Sequence, residues 1–217
     1  FRDITERKRA EDALHERGAW MRGQRLAIEA AVNEAPLATS LGMLVATTTA
    51  SLGDGVRAAF YLADEPCIAL HHVVGMPDEY AAAVNGFKIG ADSLACGLAT
   101  YIGKPVLTAD VARDPRWKEW RAMAERFDYR GCWSFPIHSS AARFVGTFAV
   151  YWRQPHAASE RELEFASLVV HTAAIIVAQH REAEVREKVE QKLHEREVRS
   201  RRNGGGRRPG PQGQVNH

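Results

Sequence analysis

The residues that could do chemistry in this chain are three cysteines and a few histidines, and they are widely spaced. Cys67, Cys96 and Cys132 are odd in number and form no Cys-x-x-Cys pair. This usage favours free thiols in a reducing compartment over a disulfide framework. His71 and His72 are neighbours on a predicted strand, so their rings point to opposite faces of a sheet. Since no three ligands share a metal-binding spacing, the sequence predicts no metal site.

The sequence also lacks the residues that usually carry out phosphoryl transfer. Leu193-His194-Glu195-Arg196 superficially resembles the phosphoacceptor segment of a histidine kinase, but the residues that follow, Glu197-Val198-Arg199, lack the Pro-Leu that usually ends it. The sequence contains neither a glycine-rich nucleotide lid nor a P-loop. We therefore expect this chain not to be an enzyme.

The composition indicates one medium-sized domain with helical extensions. The chain has 217 residues, of which 45% are apolar, and this is ordinary for a globular protein. The net charge of +2 gives no case for a nucleic-acid partner. No apolar run approaches the roughly 20 residues of a membrane span, and the charged start does not resemble a signal peptide. We expect a cytoplasmic protein that binds neither nucleic acid nor membrane.

Hydrophobic periodicity and turn residues divide the first half of the chain into helices and a hairpin. The Asp64-Glu65-Pro66 turn separates the two hairpin strands, and Gly86 and Gly90 mark a loop. The predicted helices are 1–20, 22–35, 36–52, 77–84 and 93–102, and the predicted strands are 56–63 and 67–75.

The second half opens with a block, residues 105–152, that holds four of the five tryptophans. It predicts a strand at 105–108, a helix at 116–127 after the Asp114-Pro115 turn, and strands at 132–138 and 144–152. Ser159 and Glu162 then form a capping box that begins the last helix.

The last helix changes character near residue 181. From there Val185, Val189 and Leu193 leave a narrow apolar stripe among charges, which favours pairing with a partner helix over a fully solvated one. Residues 203–217 are rich in Gly, Pro and Gln and predict a disordered basic tail. A frameshift or a truncated reading frame would also produce such a tail.

Four motifs, in their order and spacing, resemble the GAF domain, a sensory α/β module of signalling proteins. The resemblance covers roughly residues 24–180. The motifs are Asp110, the turn Asp114-Pro115-Arg116-Trp117, the strand Cys132-Trp133-Ser134-Phe135-Pro136-Ile137 and the strand Gly146-Thr147-Phe148-Ala149-Val150-Tyr151.

The first residues, FRDITERKRAEDAL, resemble the junction that follows a PAS domain in bacterial sensor proteins. There the Asp-Ile-Thr triplet, here Asp3 to Thr5, begins a connecting helix. The resemblances together imply a post-PAS connecting helix at 1–21, a GAF domain at 22–180 and a signalling, coiled-coil helix at 181–202. An ordinary surface helix at 1–20 is the alternative.

The GAF resemblance implies an α+β fold with a mostly antiparallel sheet of five or six strands. The N- and C-terminal helices would pack on one face, with long helical extensions, and would form a homodimer. The other face would enclose a small-molecule pocket. Our candidate pocket residues combine apolar walls with a few polar groups; they are Cys96, Thr100, Trp117, Trp120, Trp133, Ser134 and Tyr151. Core packing is the competing role for each, and the sequence leaves open which face of the Cys132-to-Ser134 strand meets the pocket.

The resemblance implies a sensory or regulatory module of a two-component signalling protein whose output domain is a histidine kinase. Its ligand is unknown. A covalent bilin is not expected, because neither Cys96 nor Cys132 is followed by histidine, and the residue set of cyclic-nucleotide-binding GAF domains is missing. A ligand-free dimerisation or spacer module is the first alternative. A GAF-type methionine sulfoxide reductase, which would need neighbouring cysteines, is the second.

Overall fold

A six-stranded antiparallel sheet organises the fold. The computed structural model describes the backbone of residues 2–93 and 95–204, and the side chains of residues 17–93, 95–197 and 199. The strands are β1 Val56–Ala63, β2 Ala69–Val74, β3 Phe87–Lys88, β4 Val106–Thr108, β5 Gly131–His138 and β6 Phe144–Trp152. Their order across the sheet is β3-β2-β1-β6-β5-β4, and each neighbouring pair is antiparallel.

Helices cover the sheet, and the predicted α+β class is confirmed. The helices are α1 Arg2–Val32, α2 Leu37–Leu52, α3 Asp78–Val84, α4 Ala95–Ile102, α5 Arg121–Arg126 and α6 Glu160–Gly204, with a 3₁₀ turn at Pro115–Trp117. The chain divides into two compact units, Phe1–His180 and Arg181–His217. The predicted disordered tail at 203–217 lies outside the described residues, except for the last residues of α6.

The two faces of the sheet bury different side chains, because successive residues of a strand point to opposite sides. We call the side packed against α1, α2 and α6 the helix face; Phe60, Trp133 and Phe148 lie on it. We call the other side the cavity face; Tyr151 and Cys132 lie there with residues from α3, α4 and α5. The question that the sequence left open is therefore answered: Trp133 meets the helices, and its neighbours Cys132 and Ser134 point the other way.

Aromatic rings pack against one another on the helix face. Phe148 is fully buried, and its ring centroid lies 5.0 Å from that of Phe60 and 6.1 Å from that of Phe135 on the two flanking strands. Trp20 of α1 meets Phe165 of α6 edge to face at 4.9 Å. Since fully burying one such side chain is worth about 1.5–3 kcal/mol, this layer fixes the terminal helices against the sheet.

Residues 160–197 of α6 are long and apolar enough to cross a membrane by length and composition alone. The core helix of a soluble protein meets the same criterion. Here Val169, Ala173 and Ile176 are buried in the core of the helix face, which accounts for the apolar composition of this part of α6.

The predicted break between helices 1–20 and 22–35 is wrong, because α1 runs without interruption from Arg2 to Val32. Neither a proline nor a turn dipeptide stands between them. Gly23 has a packing role instead. A Cβ atom at this position would lie 2.1 Å from Thr47 Oγ1 of α2, so glycine lets the two helices approach closely.

The predicted continuous helix at 116–127 is also wrong. A 3₁₀ turn covers Pro115–Trp117, and α5 begins only at Arg121. Trp117 is buried, and its indole Nε1 donates to Thr108 Oγ1 at 3.1 Å. This anchor to β4 fixes the turn separately from α5. The loop predicted between Gly86 and Gly90 contains the two-residue strand β3.

The predicted capping box at the start of α6 is confirmed. The Ser159 backbone N–H donates to Glu162 Oε2 at 2.8 Å, and the Glu162 N–H donates to Ser159 Oγ at 3.3 Å. Glu162 Oε1 also lies 2.8 Å from His156 Nε2, and the His156 ring stacks on Trp152 with centroids 3.8 Å apart. The last strand and the last helix are therefore joined through one short segment.

Candidate functional site

Four tyrosines come together on the cavity face, and we call them the tyrosine cluster: Tyr61, Tyr80, Tyr129 and Tyr151. Tyr61 on β1 and Tyr151 on β6 place their hydroxyl oxygens 2.8 Å apart. The Tyr80 hydroxyl, from α3, donates to Tyr151 Oη at 3.3 Å. Tyr129 packs its ring edge to face against Tyr151, with centroids 5.1 Å apart. Three separate elements of the fold and the segment before β5 thus bring phenol groups to one place.

Two hydroxyl groups in this region have no hydrogen-bond partner. They are Tyr129 Oη and Thr147 Oγ1, and both residues are at most 2% exposed. Thr147 lies opposite Tyr61 in the β1–β6 register, so it shares the cavity face with the tyrosine cluster. A buried hydroxyl without a partner costs about 1–3 kcal/mol.

Two buried cysteines lie beside the tyrosine cluster. Cys96 Sγ of α4 is 3.1 Å from Ser134 Oγ of β5, and Cys132 lies two residues before Ser134 on the same side of that strand. Burial raises the pKa of the Cys96 thiol to about 11 and raises the pKa of Cys132 as well. Because the thiolate is the reactive form of cysteine, both groups are mainly neutral hydrogen-bonding thiols at neutral pH.

The tyrosines are neutral for the same reason. Burial raises the pKa of each member of the tyrosine cluster above the ordinary value for a phenol, since the anion would lose its hydration. The site therefore offers hydroxyl and thiol groups without a formal charge.

Two small cavities lie here. The inner cavity, of about 10 Å³, has this lining: Tyr61, Tyr80, Phe87, Ala95, Cys96, Trp117, Cys132 and Tyr151. The outer cavity, also of about 10 Å³, has this lining: Ser93, Ala95, Leu98, Val106, Arg116, Trp117 and Trp120. Each has room for about one water molecule. Trp117 and Ala95 line both cavities, so together they form the wall between them.

The structure brings four of the seven candidate pocket residues into this region and places a fifth at its edge. Cys96, Trp117 and Tyr151 line the inner cavity, and Ser134 is hydrogen-bonded to Cys96. Trp120 lines the outer cavity.

The other two candidates lie elsewhere. The Thr100 hydroxyl donates to the Cys96 carbonyl within α4 at 2.8 Å and lines neither cavity. Trp133 is on the helix face, where its indole Nε1 donates to the His156 carbonyl at 3.3 Å.

The tyrosines at 61, 80 and 129 and Cys132 were missing from the candidates drawn from the sequence. Two of the four could have been found from strand register, because Tyr61 and Cys132 lie on the strands flanking β6, on the same side as Tyr151. Tyr80 and Tyr129 carry no such signal, since a short helix and a loop present them.

An ion pair between Asp110 and Arg130 lies at the edge of this region. Asp110 accepts three bonds from the Arg130 guanidinium, at 2.8 to 3.0 Å, and one from the backbone N–H of Ala112 at 3.1 Å. Its side chain is 14% exposed. The bonds from Arg130 hold the pKa of Asp110 below its ordinary range. They tie the end of β4 to the start of β5.

We expect the Asp110 pair to make stability depend on acid pH. Because the pKa of Asp110 is lower in the folded than in the unfolded chain, its contribution is complete above the unfolded value of about 3.9 and is lost as pH falls through the folded value. Asp110→Asn should therefore be less stable than the wild type at neutral pH, with a difference that shrinks below about pH 4. Urea unfolding across this range measures it. Asp54→Asn, at an exposed turn, is the control, and an equal pH dependence in both variants would contradict the assignment.

The sequence pattern of the GAF domain matches residues 38–178. The chain is similar to a methyl sulfide methyltransferase-associated sensor from Methanosarcina acetivorans, with 28% identity over 177 residues. This match covers 81% of the chain and 17% of the relative, so the chain spans about a sixth of that protein's length.

Solved structures share the fold at low identity. The GAF domain of an Acinetobacter phosphoenolpyruvate-protein phosphotransferase has a TM-score of 0.56 and 18% identity, over 76% of this chain and 97% of that one. A free methionine-R-sulfoxide reductase from Neisseria meningitidis, solved with its substrate, has a TM-score of 0.63 and 17% identity, over 79% and 93%.

The reductase corrects one expectation. From missing kinase motifs we expected that the chain is not an enzyme, but this neighbour is an enzyme with the same fold. The absence of phosphoryl-transfer residues therefore does not decide the question, because the fold supports catalysis without them.

Proposed function

Because the chain belongs to the GAF domain family and is a sensory or regulatory module, we propose that it senses a small ligand and relays the signal through its terminal helices. The observation that carries this proposal is the tyrosine cluster on the cavity face. It combines a small cavity lined by neutral hydroxyl and thiol groups with strands whose opposite sides pack against α1, α2 and α6.

The relay would run through β5 and β6. Cys132 and Tyr151 line the inner cavity, while Trp133 and Val150, their neighbours along the two strands, are buried on the helix face with Val169 of α6. A ligand that displaces side chains on one side therefore changes the packing on the other. It can shift the population of two helix arrangements only by its difference in affinity for them.

We further propose the context of a cytoplasmic two-component sensor, with a PAS domain before this segment and a histidine kinase output after it. The support is the PAS-like junction at the start of the chain, the similarity to a sensor of which the chain spans a small part, and the helical segment from Arg181. In such a protein the helices on both sides of the module would carry the signal.

The terminal helices also favour a homodimer. Met21 and Leu168 are more than half exposed and line an open groove of about 1040 Å³ between α1, the end of α2 and the start of α6. In the second unit, Val185, Val189 and Leu193 are 51–61% exposed. A helix with such a stripe gains stability mainly from a partner, and a second copy of the chain supplies the same stripe.

Native mass spectrometry of the full chain tests both parts of the proposal. We expect a dimer with a bound small molecule for the wild type. Val189→Glu should yield a monomer that keeps the molecule, because a charge in an apolar helix interface is strongly unfavourable. Gln191→Glu adds the same charge two residues away and should remain dimeric. An empty protein that stays dimeric would favour the ligand-free spacer module, and a monomeric wild type would contradict the dimer.

A further inference from the structure

The linings of the two cavities contain a single charged residue among the residues that the structure describes. This residue is Arg116, which lines the outer cavity. Its guanidinium donates to both carboxylate oxygens of Asp114, with Nε 3.0 Å from each, so its charge is already compensated. Arg121 lies nearby and reaches the Asp114 carbonyl at 3.5 Å, but it lines neither cavity.

The inner cavity offers hydroxyl and thiol groups alone as polar partners. An ion transferred there would lose its hydration without a counter-charge, and this cost is far larger than that of burying a neutral polar group that finds a hydrogen bond. The lining therefore selects against both anions and cations.

The hydroxyl groups that line the inner cavity indicate what a neutral ligand should carry. Tyr80 donates to Tyr151, and Tyr61 and Tyr151 share one hydrogen bond, so one of the three phenol protons at this cavity has no acceptor among these groups. A carbonyl oxygen or a similar acceptor in the site would satisfy it. The aromatic rings that stay around the inner cavity when Trp117 moves, those of Phe87 and the tyrosines, suit the flat apolar body of such a ligand.

Size requires that one wall moves. Each cavity has a volume of about 10 Å³, which is too small for a molecule larger than water. Trp117 stands between them and is held by one side-chain hydrogen bond, to Thr108. If its indole swings away, the two cavities join into one.

We propose that the site takes an uncharged ligand with a hydrogen-bond acceptor and an apolar, preferably aromatic, body, and that Trp117 is the movable wall that makes room for it. This inference rests on the proposed sensing function and adds to it the chemical class of the ligand.

Three probes of nearly equal shape test the charge preference: benzamide is neutral, benzoate is an anion and benzamidinium is a cation. We expect Trp117→Ala, which joins the cavities, to bind benzamide at least about 100-fold more tightly than either ion, because the ions lose hydration without compensation. Titration calorimetry on the full chain measures this. Trp117→Leu gives the same comparison if the alanine variant does not fold, as circular dichroism would report.

A hydroxyl deletion tests the hydrogen-bonding part. In the Trp117→Ala background, Tyr151→Phe should weaken benzamide binding about 3- to 10-fold, because it removes the hydroxyl at the centre of the network. Tyr101→Phe is the matched control, since this tyrosine is on α4 but 62% exposed, and it should leave the affinity unchanged.

The inference would be overturned if benzoate or benzamidinium bound with the same affinity as benzamide, or if the two tyrosine variants weakened benzamide binding equally. It would also be overturned if none of the three probes bound to either Trp117 variant. A charged molecule found with the native protein would refute the ligand class and leave sensing intact. Conversely, the probes could bind the Trp117 variants as expected while the wild type carries no ligand. That result would refute sensing and leave the site chemistry intact.

Discussion

Gly75→Ala is expected to lower the free energy of unfolding by at least about 3 kcal/mol. Gly75 follows β2 with φ +117°, where side chains are rarely tolerated. A Cβ atom there would lie 2.0 Å from the Ala58 carbonyl oxygen and 2.8 Å from Ala59 Cα. These are backbone atoms of the paired strand β1, so they cannot move away without breaking the sheet next to Tyr61. Urea unfolding followed by tryptophan fluorescence measures the loss.

Variants of two other glycines separate the two causes of this loss, which are backbone strain and the close approach to β1. Gly53 has φ +98° but open space around its missing Cβ, so Gly53→Ala should cost only the backbone strain, about 1–3 kcal/mol. Gly90 has open space and no positive φ, so Gly90→Ala should be nearly neutral. If Gly75→Ala were no more damaging than Gly53→Ala, the close approach to β1 would be wrong.

Trp133→Ala should cost about 3–5 kcal/mol of stability, the range for deleting a large buried aromatic side chain. Trp133 is 1% exposed, and its ring lies 5.0 Å from that of Trp152 and 5.3 Å from that of His156. Its removal leaves a void between β5 and the segment that begins α6. The expected effect is therefore on the helix face, and thermal and urea unfolding measure it.

Trp133→Phe is the matched variant. It keeps an aromatic ring, loses the hydrogen bond to the His156 carbonyl, and should cost less than about 2 kcal/mol. Ligand affinity decides between packing and binding roles for this residue. A Trp133→Phe protein of near-normal stability that no longer binds ligand would place Trp133 at the ligand, contrary to its position on the helix face.

Local signals were enough to predict most of the secondary structure. The capping box of Ser159 and Glu162 and the strands predicted at 132–138 and 144–152 depend on neighbours in sequence, and the structure has them. The break in the 116–127 segment could not be predicted, because it depends on the bond between the Trp117 indole and Thr108 of β4. A contact between distant elements overrides a local helical pattern there.

The candidate site was harder to predict than the fold for a similar reason. Alternation says that Trp133 and Ser134 point to opposite sides, but which side is the cavity depends on what α4 and α6 cover. Cys96, Trp117 and Tyr151 were identified as polar or aromatic residues in suitable elements. Tyr80 and Tyr129 reach the cluster from α3 and a loop, and only the tertiary arrangement brings them there.

The division of β5 and β6 into two faces has a consequence for how such a module can diversify. Under the proposed function, residues on the cavity face, such as Cys132 and Ser134, could be exchanged to alter ligand chemistry while Trp133 and Phe135 keep the helices in place. Likewise, helix-face residues could be exchanged to alter helix packing while the cavity-face residues are kept. Two requirements that would otherwise compete are assigned to alternate positions of the same strands, so recognition and output can evolve along separate sets of residues within one short segment of the chain.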